Sequence, residues 1–288
     1  MRLASTGGVA FGEGQAFRIF RIRKRFHQFL HYRRVSPRIV LFVVGCQRSG
    51  TSLIHHILRL DLASATFDEV SSLSSPADPN GLRLRPWPEV SDRIMAQRAP
   101  LVVAKPLAES QHLDRLLGLH PGARALWMFR NYKDVARSNI KFFGARTGHD
   151  DLAAILSGEQ GDWRGEKLDA GVRDEIGRIF SPDLDPHDAA ALFWYARNSL
   201  LFSLGFTDLE NLRLCSYDDL VTRPAAVVRQ LYSFLGQEYP GDRILKDVFR
   251  TSRGGGGDLR LTPRVEELCS RMLQRLQALP RLDGITDA

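Results

Sequence analysis

The loop at residues 45–52, with the sequence GCQRSGTS, has the composition of an anion-binding turn. It follows the apolar run at 39–44 and precedes the helical stretch at 53–60, which predicts a strand, a loop and a helix in that order. Backbone N–H groups without partners at a helix start, together with the positive end of its dipole, favour a phosphate-like group. Gly45 and Gly50 let the backbone approach such a group closely. An ordinary glycine turn before a helix is the alternative interpretation.

The charge of this loop differs from that of an ATP-hydrolysing enzyme. The Walker pattern G-x-x-x-x-G-K-[ST] places a lysine beside the hydroxyl that holds Mg²⁺. Thr51 stands at the lysine position, and the positive charge is at Arg48 inside the loop. The later apolar run at 125–129 ends in Arg130, where a metal-holding Asp would be expected. We therefore expect a site for phosphate-like groups that holds no metal.

A second segment also carries anion-binding residues. The run at 125–129 is typical of a buried parallel strand, and it leads through Arg130 into a helical stretch. Ser138 follows Arg130 by eight residues. Arginine suits phosphate because its planar fork donates two parallel hydrogen bonds and keeps its charge.

With both segments in view, the chain resembles the sulfotransferases that use 3′-phosphoadenosine-5′-phosphosulfate (PAPS). In that family a P-[RK]-S/T-G-T-like loop holds the 5′-phosphosulfate, and an Arg with a Ser eight residues later holds the 3′-phosphate. Residues 211–236 continue the resemblance with a strand, a YDDL segment, a proline and a helix ending in FLG. It covers roughly residues 38–280. It implies an α/β fold, a three-layer sandwich with a central parallel sheet of the P-loop NTPase-like type.

The resemblance also implies which residues bind the donor. The set consists of Gln47, Arg48, Ser49, Gly50, Thr51, Ser52, Arg130, Ser138 and Tyr217, to which the glycine run beside it adds Arg253 as a candidate. Phe142 stands where some members carry a second Arg for the 3′-phosphate, so we predict that Arg253 assists there. The glycine run after Arg253 could fold over a nucleotide or serve as a linker. PAPS is the expected donor and 3′-phosphoadenosine-5′-phosphate (PAP) the expected product, without a metal.

Sulfuryl transfer to a hydroxyl also needs a cation near the leaving phosphate. Lys105 ends the apolar run at 101–104, and ligands of open α/β sheets bind at the carboxyl ends of strands. In the family a Lys at this point contacts the bridging oxygen of the donor, and Arg48 would assist it. A solvated strand end is the alternative interpretation of Lys105.

The general base is assigned by resemblance. Small-molecule cytosolic sulfotransferases carry a catalytic His two residues after the Lys, where this chain has Leu107. The branch with tyrosylprotein and carbohydrate sulfotransferases places a Glu after the helix that follows the loop. Glu69 occupies that position beside Asp68. We predict Glu69 as the base that accepts the acceptor proton, while exposed loop carboxylates are the alternative.

Composition indicates one enzyme domain preceded by a basic arm. We predict the arm at 1–36 and the sulfotransferase domain at 37–288. The net charge of +7 suits a polyanionic donor. Three widely spaced cysteines favour a reducing compartment, and neither a membrane span nor a signal peptide is recognisable, so a cytoplasmic location is expected. The polar stretch at 144–188 matches no motif.

The arm contains seven Arg or Lys residues and no acid between residues 17 and 34. Phe26, Phe29 and Leu30 share a helical face, so this segment could lie on an anionic membrane as a basic amphipathic helix. Packing of the arm on its own domain is the more common arrangement.

These observations predict an enzyme that transfers a sulfuryl group from PAPS to a hydroxyl or amine by direct in-line transfer. The expected acceptor is a small metabolite, a carbohydrate or a glycolipid. A small-molecule kinase is disfavoured by Thr51, whereas a non-catalytic nucleotide-binding protein stays open. A nucleic-acid partner is not expected, because it would leave the two phosphate motifs unexplained. The oligomeric state stays open.

Overall fold

The computed structural model describes residues 15–32, 39–248 and 258–285. Its centre is a sheet of six strands in the spatial order β2-β3-β1-β4-β5-β6. All neighbouring strands pair in parallel. The strands are β1 (Ile39–Gly45), β2 (Ser64–Phe67), β3 (Leu101–Ala104), β4 (Ala123–Phe129), β5 (Leu212–Ser216) and β6 (Arg281–Leu282).

Helices surround this sheet on both faces. They are α1 (Gln15–His31), α2 (Thr51–Arg59), α3 (Trp87–Met95), α4 (Leu113–Gly118), α5 (Tyr132–Phe143), α6 (Thr147–Ser157), α7 (Ala170–Ile179), α8 (Pro186–Ser203), α9 (Tyr217–Thr222), α10 (Pro224–Leu235) and α11 (Pro263–Gln277).

The sheet separates two apolar cores because successive side chains of a strand point to opposite faces. Val40, Phe42 and Val44 of β1 join the core formed with helices that include α5, α6, α8 and α11. Leu41 and Val43 join the other core, formed mainly with α2 and α10. A strand buried on both faces must be apolar throughout, which explains the uninterrupted apolar run in β1. The predicted three-layer α/β sandwich with a parallel sheet is confirmed.

The stretch at 144–188, which matched no motif, contains two helices, α6 and α7, and the start of a third. Asp185 caps the third helix, α8, by accepting a hydrogen bond from the backbone N–H of His187. Almost every residue of α8 between Asp188 and Leu201 is buried. This helix forms the centre of the larger core, so the segment after the second anion motif belongs to the body of the domain.

Helix α1 contacts the domain through polar side chains. Lys24 Nζ donates hydrogen bonds to the carbonyl oxygen of Arg59 at 2.7 Å and to Ser64 Oγ at 2.9 Å. Gln28 Nε2 donates to the carbonyl oxygens of Leu62 and Ser64. The arm is therefore joined to its own domain beside the amino end of β2. None of the helices described combines the length and apolar character needed to cross a membrane.

Candidate active site

Five neighbouring parallel strands end at the same edge of the sheet, and a predicted site residue follows each of them. Such an edge is where ligands bind in open α/β sheets. The residues that follow β1 to β5 are, in that order, the loop at 45–52, Glu69, Lys105, Arg130 and Tyr217. The sheet thus brings together side chains that lie far apart in the sequence.

The loop turns sharply between β1 and α2. Arg48 has a positive φ of 63° and Gly50 one of 92°, and α2 begins immediately afterwards at Thr51. A Cβ atom at Gly50 would lie 2.5 Å from Cδ2 of Tyr217, closer than non-bonded atoms approach. Glycine is therefore required here for both its backbone conformation and its lack of a side chain.

Arg48 joins the two anion motifs directly. Its Nε donates a hydrogen bond to Ser138 Oγ at 3.1 Å. Its guanidinium carbon lies 4.1 Å from the centre of the Phe142 ring, in cation–π geometry. The sequence assigned Arg48 and Ser138 to separate phosphate sites, whereas the structure places them in contact. Sequence reasoning missed the role of Phe142, which it treated only as a lost arginine.

Arg130 is buried beside the same loop. Its guanidinium carbon lies 4.2 Å from the centre of the Tyr217 ring, and its Nη2 is 3.7 Å from Oδ2 of Asp134. Burial lowers the pKa of Arg48, and the nearby charge of Arg130 lowers it further. A buried and a half-buried cation are thus held close together, an arrangement that an anion would stabilise.

Ser49 adds an unused donor between these cations and the start of α2. Its side chain is fully buried, and its Oγ has no hydrogen-bond partner among the residues that the structure describes. Buried hydroxyls are normally paired, so this one is available to a ligand. Together with the backbone N–H groups at the start of α2, it suits the oxygen atoms of a phosphate-like group.

Lys105 is held at the end of β3 by two partners. Its Nζ lies 2.8 Å from Oδ1 of Asp68 and donates to Ser52 Oγ at 3.1 Å. Burial alone would raise the pKa of Asp68, but the charge of Lys105 and hydrogen bonds from Lys105 and the Glu69 N–H lower it to about 2. Asp68 is therefore ionised at neutral pH. The lysine is buried and oriented, which contradicts the interpretation as a solvated strand end.

Glu69 follows Asp68 and is half-buried. Its backbone N–H donates to Oδ1 of Asp68 at 2.8 Å. Burial raises the pKa of the Glu69 carboxyl, Lys105 opposes this change, and the charge of Asp68 adds to it. In the described part of the chain, the carboxylate that contacts Lys105 is that of Asp68. The sequence analysis gave no role to Asp68.

One predicted donor contact has no described position. Arg253 lies outside the described residues. Within the ranges described, no three His, Cys, Asp or Glu side chains are grouped so as to hold a metal ion.

A cavity of about 490 Å³ lined by residues such as Tyr32, Asp61 and Pro100 opens at the opposite, amino edge of the sheet.

A parallel sheet covered on both faces, with a glycine-containing loop between β1 and α2 at its carboxyl edge, defines a P-loop-like α/β protein. Residues 39–252 match the family model of the sulfotransferase domain. The chain therefore belongs to the sulfotransferase family, and it is an enzyme of the transferase class.

Solved structures of sulfotransferase domains share this fold. The domain from the olefin synthase of Synechococcus PCC 7002 is 16% identical, with 84% of this chain and 95% of that chain covered and a TM-score of 0.50. The domain from the curacin biosynthetic pathway is 14% identical, with 85% and 99% covered and a TM-score of 0.51. No protein with a curated description matches this chain.

Proposed function

We propose that this sulfotransferase uses PAPS as its donor and transfers the sulfuryl group to a hydroxyl or amine by direct in-line displacement. The observation that carries the proposal is the convergence of Arg48, Arg130 and Ser138 beside the start of α2. PAPS carries two separated anionic groups, and this edge offers the buried guanidinium group of Arg130, the half-buried one of Arg48 and a helix N-terminus.

The residues present suit such a donor. In the proposal, the loop from Gln47 to Ser52 and the N-terminus of α2 hold the 5′-phosphosulfate, with Ser49 Oγ among the donors. Arg130 and Ser138 hold the 3′-phosphate, and Tyr217 supports Arg130 through its ring. Arg253 is proposed as an additional contact on sequence grounds alone.

The transfer step uses three side chains. Glu69 accepts the proton of the acceptor hydroxyl as its oxygen forms a bond to sulfur. The bond between sulfur and the bridging oxygen of the 5′-phosphate breaks, and its electron pair stays on that oxygen. Lys105 and Arg48 stabilise the charge that develops there. The products are the sulfated acceptor and PAP, so no oxidant or reductant is needed.

For the acceptor we propose a hydroxylated molecule, namely a carbohydrate, a glycolipid or a small metabolite. What supports this class is the sequence pattern: Leu107 replaces the catalytic His of the phenol-sulfating branch, and Glu69 takes the position of the base in the other branch. Screening with ³⁵S-labelled PAPS over these acceptor classes would identify the substrate.

Calorimetric titration tests the donor site. We expect PAP to bind more tightly than ADP or ATP with Mg²⁺, and equally well when EDTA is present. Each hydrogen bond to a charged group contributes about 1.5–3 kcal/mol, so Arg130→Ala should weaken PAP binding about 10- to 100-fold.

Arg146→Ala is the matched control, because Arg146 lies on the exposed surface in a pair with Asp150. This variant should bind PAP as the wild type does. Tighter binding of ATP with Mg²⁺ than of PAP would contradict the proposal and indicate a kinase-like use of the same loop.

A further inference from the structure

Helix α1 presents a row of large apolar side chains to solvent. Their exposed fractions lie between 60% and 69%, and the residues are Ile19, Ile22, Phe26, Phe29 and Leu30. Single exposed apolar residues are common on protein surfaces, but a contiguous group on one helix marks an interaction site. The group accounts for five of the nine large hydrophobic residues that are exposed within the described ranges.

Apart from Phe29, which Arg98 of the domain contacts at one margin, this row lies on the face of α1 that points away from the domain. At 3.6 residues per turn, the apolar residues occupy a stripe roughly 100° wide. Lys24 and Gln28, whose hydrogen bonds fasten α1 to the domain, lie about 150–170° from the centre of that stripe. A surface helix of a globular protein normally buries its apolar stripe and exposes its polar face. Helix α1 has the reverse orientation.

Cations flank the stripe on both sides. Arg23 lies on one side and Arg25 on the other, and both are exposed. The guanidinium carbon of Arg98, from the domain, lies 4.6 Å from the centre of the Phe29 ring and adds a further positive charge. Helix α1 contains no Asp or Glu.

We propose that α1 is a membrane-surface helix that inserts this stripe into the interfacial region of an anionic lipid bilayer. Apolar side chains then enter the boundary between headgroups and acyl chains, while the arginines contact lipid phosphates on either side. Because Lys24 and Gln28 hold α1 to the body, the whole domain would be carried to the membrane surface. This inference is independent of the donor and the acceptor of the enzyme.

The charge pattern favours a bilayer over a second copy of the chain. A symmetric dimer through this stripe would bring Arg23 and Arg25 of both copies together, and α1 has no carboxylate to compensate them. An anionic membrane satisfies the apolar stripe and the flanking cations simultaneously.

Vesicle flotation of the full-length chain tests the inference. We expect binding to vesicles of 70% phosphatidylcholine and 30% phosphatidylglycerol, and little binding to phosphatidylcholine alone. The variant Ile22→Ser with Phe26→Ser removes two exposed side chains and should lower partitioning by about tenfold or more. Ile285→Ser is the matched control, because Ile285 is equally an exposed isoleucine but lies far along the chain from α1.

Three outcomes would overturn the inference. They are the absence of binding to anionic vesicles, binding that the double variant retains in full, and a dimer in sedimentation experiments that the double variant abolishes. The last outcome would assign the stripe to a second copy. Because both substituted residues are exposed, circular dichroism and PAP binding should remain those of the wild type, which separates loss of membrane contact from unfolding.

Discussion

The position of Arg48 depends on an aromatic side chain as well as on its own loop. The Phe142 ring lies under its guanidinium group and Ser138 accepts its hydrogen bond. A cation–π contact of this kind contributes about 0.5–2 kcal/mol. We therefore expect Phe142→Ala to weaken PAP binding about 2- to 30-fold, measured by calorimetry. Phe143→Ala is the comparison and should have a smaller effect, because that ring lies farther from Arg48, at 5.9 Å, and is exposed. Equal effects of both substitutions would contradict a specific role of Phe142.

The two adjacent carboxylates have different predicted roles. Glu69→Gln should lower turnover about 10²- to 10⁴-fold while leaving PAP affinity unchanged, because it removes only the proton acceptor. Asp68→Asn should instead act through Lys105, whose charge loses its partner. If Glu69→Gln were fully active and Asp68→Asn inactive, Asp68 would be the base and our assignment would be wrong.

The pH dependence of turnover gives a second measurement of Glu69. Burial raises the pKa of its carboxyl, so the group takes up a proton at a higher pH than an ordinary glutamate. Protonation removes its ability to accept a proton from the acceptor. The rate should therefore fall as the pH drops through this raised pKa. The residual activity of Glu69→Gln should not show this fall in rate at low pH. If the fall persists in the variant, a group other than Glu69 causes it.

At the scale of elements, the loop before α2 is shaped by its contact with the start of α9. A Cβ at Gly50 would collide with the Tyr217 ring, which in turn lies against Arg130. We expect Gly50→Ala to abolish detectable PAP binding and to lower the free energy of unfolding by about 1–3 kcal/mol. Gly205→Ala is the matched control, since Gly205 also has a positive φ but has open space around it. Gly205→Ala should lower the free energy of unfolding through backbone strain but leave PAP binding unchanged.

The attachment of α1 should depend on pH through Lys24. Burial lowers the pKa of this amine from 10.5 to about 7, with Asp61 opposing the change and Arg59 adding to it. Between these two pH values the unfolded chain binds a proton that the folded chain does not. The contribution of Lys24 to the free energy of unfolding therefore increases as the pH rises from about 7 to 10.5. Below pH 7 this contribution is at its minimum and no longer changes.

Urea denaturation of wild type and Lys24→Met at pH 7 and pH 9 measures this effect. The wild type should gain stability relative to the variant at the higher pH. Lys141→Met, which changes an exposed lysine, should show no such relative gain. A pH-independent difference between wild type and Lys24→Met would contradict the burial of a neutral amine.

At the scale of the whole molecule, close packing around the sheet makes the thiols unreactive. Cys46, Cys215 and Cys269 are all buried. Burial raises the pKa of Cys46 to about 12 and also raises those of the other two thiols. Native protein should react with Ellman's reagent at least about 10³-fold more slowly than a free thiol, whereas protein in guanidinium chloride should show three thiols. Fast reaction of one native thiol, abolished by Cys46→Ala, would show that the loop opens.

The fold and much of the site were predictable because their signals are local. The apolar run before residue 45, the glycines of the loop and the spacing of Arg130 and Ser138 all lie within single strand–loop–helix segments. The helices at 144–188 were not predicted, because a clear local signal was lacking there. Helix α7 has just one fully buried residue, Ile176, so it lacks a regular apolar pattern.

The sequence by itself indicated the alternation of strands and helices along the chain and the cationic and hydroxyl groups of the two loops, since both depend on neighbouring residues. Only the tertiary structure decided that Arg48 contacts Ser138, 90 residues away, and that Asp68 contacts Lys105. It also decided that α1 packs through its polar face. An apolar periodicity defines a face of a helix, but the side on which the helix packs depends on groups elsewhere in the chain. Here those groups are the carbonyl oxygens of Leu62 and Ser64.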